Sequence, residues 1–127
     1  MNANANRILV IDDEDDIREV ARASLELMGS LNVILASSSK EGLVKAAMEQ
    51  PDAILLDVML PDMDGMTTFR KLQENPATRH IPVILLTAKV QSADQLQFAH
   101  LGVAAVIAKP FDPISLASQI VAVLGWE

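Results

Sequence analysis

The chain of 127 residues contains no cysteine. Disulfides, thiol nucleophiles and thiolate metal sites are thereby excluded, and the redox compartment is left open. No apolar run approaches the ~20 residues that a membrane-spanning helix needs. Asn and Ala fill positions 2–6, without the basic-then-apolar order of a secretory signal. Basic residues are few: 10 Lys and Arg stand against 17 Asp and Glu, a formal net charge of −7. That sign argues against nonspecific binding of nucleic acid and against anionic membrane surfaces. A soluble cytoplasmic protein is the expectation. Hydrophobic residues make up 50% of the chain, which supplies a packed core. A domain of this length buries roughly two-thirds of its unfolded surface.

What is present is organised around Ile54–Gly65, ILLDVMLPDMDG. Four apolar residues run directly into Asp57, and a turn closes on Asp64-Gly65. A buried strand that ends on an acid is unusual, because an unpaired desolvated charge is costly or changes its pKa. Another part of the chain has to meet Asp57.

Around that stretch, short apolar runs alternate with helical patterns. Residues 1–6 read as a frayed tail and 7–127 as one domain. Arg7 to Ile11, Asn32 to Ala36, Ala53 to Asp57, Pro82 to Thr87 and Ala105 to Ala108 read as strands covered on both faces. Between them, Ile17, Val20, Ala21, Ser24, Leu25 and Met28 recur at helical spacing, and Gly29 ends the pattern. Ser38 with Glu41 forms a capping box before a second helix, in which Gly42 is the weak point. A third helix runs over Met66 to Glu74. Ser92 with Gln95 opens a fourth that ends at Gly102. Asp112 with Pro113 opens the fifth. Such alternation predicts an α/β fold, a flavodoxin-like (βα)5 three-layer sandwich. Ligands of these sheets bind beyond the carboxyl ends of the strands.

Those ends carry Asp12-Asp13, Asp57, Thr87 and Lys109-Pro110. Three carboxylates on one rim repel unless cations intervene, and Lys109 provides one positive charge. An open, all-oxygen set suits Mg²⁺, which keeps several waters and partners phosphate. A carboxylate can itself form an aspartyl phosphate. Phosphoryl transfer asks mainly for positioning and charge neutralisation, for which Lys109 and the Thr87 hydroxyl are suited.

In this order and at these spacings, VIDDEDD, ILLDVMLPDMDG, VILLTA and VIAKPFDP resemble the receiver domain of two-component response regulators, over essentially residues 7–124. The resemblance implies a five-stranded parallel sheet of order 2-1-3-4-5. It implies that Asp57 accepts a phosphoryl group from a histidine kinase or phosphotransfer protein. Asp13 would ligate Mg²⁺ directly, Asp12 mainly through water, and Met59 through its backbone carbonyl. Lys109 would contact the phosphoryl group, Thr87 would be the switch hydroxyl, and the Lys109-Pro110 bond would be cis. Because the chain stops soon after the fifth helix, a stand-alone receiver is expected, signalling to a protein partner through helix four, strand five and helix five. Family members commonly carry an aromatic residue three positions before the lysine. Here that position is Val106, and the chain has no tyrosine.

Two other readings compete. A phosphohydrolase with an aspartate nucleophile usually needs a second acid two residues on, where this chain has Met59. A flavodoxin-like binder or interaction module that is not phosphorylated leaves the acidic cluster unexplained. Glu14, Asp15 and Asp16 read as helix-start acids, and Asp62 and Asp64 as turn residues. His80 and His100 lack companions at ligand spacing. Lys89 and Met59 fall at the mouth of the rim. Leu116, Ile120 and Val123 are read equally as a wide buried face or a contact surface.

Overall fold

Runs of Ile, Leu and Val, stiff or well packed on a pleated surface, form the strands. In the computed structural model, which describes residues 6–88, 98 and 100–126, these are β1 (Arg7–Ile11), β2 (Asn32–Ala36), β3 (Ala53–Asp57), β4 (Val83–Thr87) and β5 (Ala105–Ala108). They pair in parallel in the order β2-β1-β3-β4-β5. Four helices fall within the described residues: α1 (Asp15–Gly29), α2 (Ser39–Glu49), α3 (Gly65–Glu74) and α4 (Leu116–Leu124). The helix expected from Ser92 lies mostly outside them. At its end Phe98 and His100 are helical, and Gly102 takes the left-handed φ of 96°. Lys89 lies outside the described residues, as does the expected tail apart from Asn6, whose carbonyl accepts from Asn32 N.

The strand period of two divides the core into two layers. Leu9, Ile11, Ile54, Leu56, Val83 and Leu85 meet Ala46 of α2 and Phe69 and Leu72 of α3. Ile8, Val10, Leu55, Ile84, Leu86 and Ile107 meet Ala21 and Leu25 of α1 and Leu116 and Ile120 of α4. The three-layer sandwich is as expected, and no described helix is long and apolar enough to cross a membrane.

Local chemistry departs from the sequence reading at several helix ends. Ser30, one residue past Gly29, takes the left-handed cap of α1. Val20 and Met28 lie at the edge of the α1 seam and are exposed. Ser38 caps α2 through Glu41 N, but the Glu41 carboxylate turns to Ser37 N and Oγ. Those bonds, Ser37 N first, with Lys45 beside them, hold Glu41 down at about 2. Asp112 accepts from Ile114 N, so a turn over 113–115 precedes α4. Leu116 and Ile120 are fully buried and Val123 is exposed, so most of that apolar surface is a wide core face. Trp126 packs against the same layer.

Glycine is needed where helices approach the sheet. A Cβ at Gly42 would stand 2.4 Å from Ile11 Cδ1, so this residue sets the approach of α2 to β1. At Gly65 it would stand 2.5 Å from Val58 Cα, a backbone atom that cannot swing aside. Helix propensity alone favours Gly65→Ala by ~1 kcal/mol. Overpacking against backbone predicts the opposite sign, a net loss of about 1–3 kcal/mol in denaturant unfolding.

Candidate functional site

The parallel sheet brings the carboxyl ends of β1, β3, β4 and β5 to one rim. Backbone bonds carry the ladder one residue past three of them: Asp12 N to Ala36 O (3.1 Å), Val58 N to Leu86 O (3.1 Å) and Lys109 N to Thr87 O (2.9 Å). The residues at the strand ends are therefore fixed to the sheet itself. Asp12, Asp57 and Thr87 are buried at 0, 2 and 1% exposure. Thr87 stands opposite Ala108 in the register, and its neighbour Leu86 stands opposite Asp57.

Lys109 reaches across this rim. Its Nζ lies 3.0 Å from Asp12 Oδ2 and 3.2 Å from Asp57 Oδ2. The peptide bond that follows it, Lys109-Pro110, is cis. Burial pushes the ammonium's pKa down, but Asp12 and then Asp57 outweigh this, and the net shift is upward. Asp57 Oδ1 accepts from Met59 N at 3.0 Å, which fixes the carboxylate plane and folds the chain back over the strand end. The Met59 side chain is exposed.

Asp12 is the strained member. Oδ1 accepts from Glu14 N at 2.9 Å. Oδ2 is buried, with Lys109 Nζ at ion-pair distance from it. Desolvation foremost, with Asp57 adding repulsion, raises the pKa of Asp12 above the ordinary carboxylate value despite Glu14 N and Lys109. Asp13 is exposed beside it, and oxygens of Asp12, Asp13 and Asp57 lie within 4.8 Å of one another. Among the described residues, three carboxylates, two of them buried, stand against one ammonium, a donor set that fits a hard cation with oxygen preference. Asp12, Asp13, Asp57, Thr87 and Lys109 thus lie at one end of the sheet.

Three contributors were missed in the sequence. Glu14 Oε1 lies 3.4 Å from Lys109 Nζ, so this acid belongs to the charge cluster as well as to the start of α1. Arg18 Nη1 donates to the Asp12 carbonyl at 2.7 Å and holds the β1–α1 loop. Asp62 accepts from Ser39 N and Lys40 N at the start of α2. Only the position of Arg18 six residues after Asp12, on the first turns of a helix, hinted at any of these.

A family model described as the response regulator receiver domain matches residues 8–121. The chain belongs to that family. It is 41% identical over 116 residues to the response regulator PleD of Caulobacter vibrioides, covering 90% of this chain and 25% of PleD. It is 38% identical over 118 residues to the alkaline phosphatase synthesis transcriptional regulatory protein PhoP of Bacillus subtilis, covering 93% and 48%. The chain thus spans between a quarter and a half of these relatives. Among solved structures, the chemotaxis response regulator CheY4 of Vibrio cholerae superposes with a TM-score of 0.87 at 25% identity, covering 94% of this chain and 99% of that one. A response regulator from Chloroflexus aurantiacus gives 0.86 at 29%, covering 96% and 99%. This receiver domain is a phosphoacceptor switch module of two-component signalling.

The raised pKa of Asp12 has a stability consequence. An acid whose folded pKa exceeds its unfolded value binds its proton more tightly in the native state. The stability it contributes at low pH is lost as pH rises through the two values. At neutral pH in the presence of a chelator, Asp12→Asn therefore raises the thermal midpoint, and the gain shrinks as pH is lowered. A midpoint that falls in Asp12→Asn would show that the Lys109 attraction dominates instead.

Proposed function

We propose that Asp57 is the phosphoacceptor of this domain and that Lys109 is its charge partner. The supporting observation is the buried Asp57 carboxylate with Lys109 Nζ 3.2 Å from Oδ2. A histidine kinase or phosphotransfer protein would present a phosphohistidine. A carboxylate oxygen of Asp57 attacks phosphorus, the P–N bond to the imidazole breaks, and the phosphoryl group moves to aspartate as an acyl phosphate. Lys109 remains an ammonium throughout and meets a phosphoryl oxygen, a charge-assisted contact stronger than a neutral one. Thr87, buried at the neighbouring strand end, turns its hydroxyl to the phosphoryl group.

Asp13 directly, Asp12 mainly through water and the Met59 backbone carbonyl would hold Mg²⁺, which when bound supplies positive charge to the phosphoryl oxygens. The domain's own chemistry is then limited to gaining this phosphoryl group and losing it to water. Phosphorylation biases two pre-existing conformations, and a protein partner reads the side of the domain that carries β5 and α4; the fourth helix expected to share that role lies mostly outside the described residues. A net charge of −7 favours a protein over nucleic acid as the contact of this domain. Val106, half-buried against the α2–α3 layer of the core, stands where an aromatic commonly sits, so the read-out runs without a rotating ring. A phosphohydrolase is disfavoured because Met59 has no proton to give.

Mass measurement after incubation with Mg²⁺ and acetyl phosphate or phosphoramidate tests this. One added phosphoryl group is expected, labile to hydroxylamine and missing in Asp57→Asn. The assignment fails if neither donor gives an adduct under conditions that label a known receiver.

A further inference from the structure

The loop from Val58 to Asp64 carries Met59 and is bound at both ends to its own strand and helix. Met59 N bonds Asp57 Oδ1, and Gly65 N bonds the Val58 carbonyl at 2.8 Å. Asp64 caps α3 through Thr67 N at 2.8 Å. The middle of the loop is held by a different element. Asp62 Oδ1 and Oδ2 each accept a backbone N–H of the first turn of α2, from Ser39 and Lys40, at 3.1 Å. Beneath them, fully buried Ser39 donates its hydroxyl to the Met63 carbonyl at 3.3 Å. Thr68 Oγ1, also fully buried, lies 2.8 Å from Ser39 Oγ and 3.0 Å from the Asp64 carbonyl.

This arrangement joins the loop to a helix start 22 and 23 residues away in the chain. The first N–H groups of a helix lack intrahelical partners and sit at the positive end of its dipole. Asp62 satisfies two of them from another loop, while Ser38, the N-cap residue, satisfies Glu41 N. Desolvation works against the Asp62 carboxylate, but the Ser39 and Lys40 N–H groups outweigh it and keep it ionised below its ordinary range. The helix so gripped is itself seated on β1 by the Gly42–Ile11 contact, one residue before Asp12. The grip therefore refers the loop bearing Met59 to β1, the strand that Asp12 and Asp13 follow.

We infer that Asp62 is a positioning residue for the cation site: by clamping the Met59 loop onto α2, it holds the Met59 carbonyl in register with Asp12, Asp13 and Asp57. This rests on the assignment of the acidic cluster as a Mg²⁺ site. Outer residues that orient ligands commonly change metal affinity when removed.

The test compares Mg²⁺ affinity, by calorimetry and by the Met59 amide shift in NMR, across three variants and the parent. Asp62→Ala is expected to weaken Mg²⁺ about tenfold and to broaden or shift the Met59 amide before any metal is added. Asp62→Asn, which keeps one acceptor oxygen, is expected to fall between the two. Ser38→Ala removes a cap from the same helix end and lowers stability to a similar extent, yet it leaves Mg²⁺ affinity unchanged. Equal losses in Asp62→Ala and Ser38→Ala would make Asp62 a helix cap only and overturn the inference, as would parental affinity in Asp62→Ala. If the parent itself binds no Mg²⁺, the cation site falls, and the role of Asp62 falls with it. Parental binding with an unchanged Asp62→Ala removes this inference alone.

Discussion

The contacts of Lys109 with Asp12 and Asp57 are the interaction on which the rest of the site depends. Three carboxylates and Glu14 crowd one rim, two of them buried, and among the described residues a single ammonium stands among them. A buried ion pair adds stability only where its geometry makes good the loss of water. Here Lys109 is shared between the two acids, and desolvation still leaves Asp12 with a raised pKa. Among the described residues, the acids of the rim thus outnumber its cations. That excess of negative charge is what supports the proposed binding of a cation, and of a phosphoryl group through both cation and ammonium.

Such a charge cluster persists because the sheet beneath it does not yield. β1, β3 and β4 are interior strands with almost no exposed residue, and their apolar side chains hold α1 and α4 on one face and α2 and α3 on the other. Relaxing the charges by moving a strand end would break ladder bonds and expose Leu or Ile. Burial of one such side chain is worth about 1.5–3 kcal/mol. Parallel pairing does the rest, since it sends every carboxyl end to the same side.

The strands and the rim were legible in the sequence because each depends on local pattern. Continuous apolar runs mark the interior strands, and an acid or lysine after each run lands on the rim whatever the details of packing. The roles proposed for Asp57, Lys109, Thr87, Asp12, Asp13 and Met59 come from the resemblance. What escaped was fixed by distant partners. Asp62 looked like a turn residue beside Pro61 because its bonds go to α2. Glu14 looked like a helix-start acid because Lys109 is 95 residues away. Glu41 looked like half of a capping box, but Ser37 N and Oγ offered it better donors. Gly42 looked like a flaw in a helix, and Ile11 across the interface gives the reason for it.

A cation that relieves the rim must stabilise the fold, and this links the chemistry of the site to a quantity independent of any phosphoryl donor. The most direct measurement is the unfolding free energy at neutral pH as Mg²⁺ is titrated from a chelated solution. Above the dissociation constant, each tenfold rise in free Mg²⁺ is predicted to add about 1.4 kcal/mol, an increment that disappears in Asp13→Ala. An unfolding free energy that stays flat across the whole titration would contradict the account.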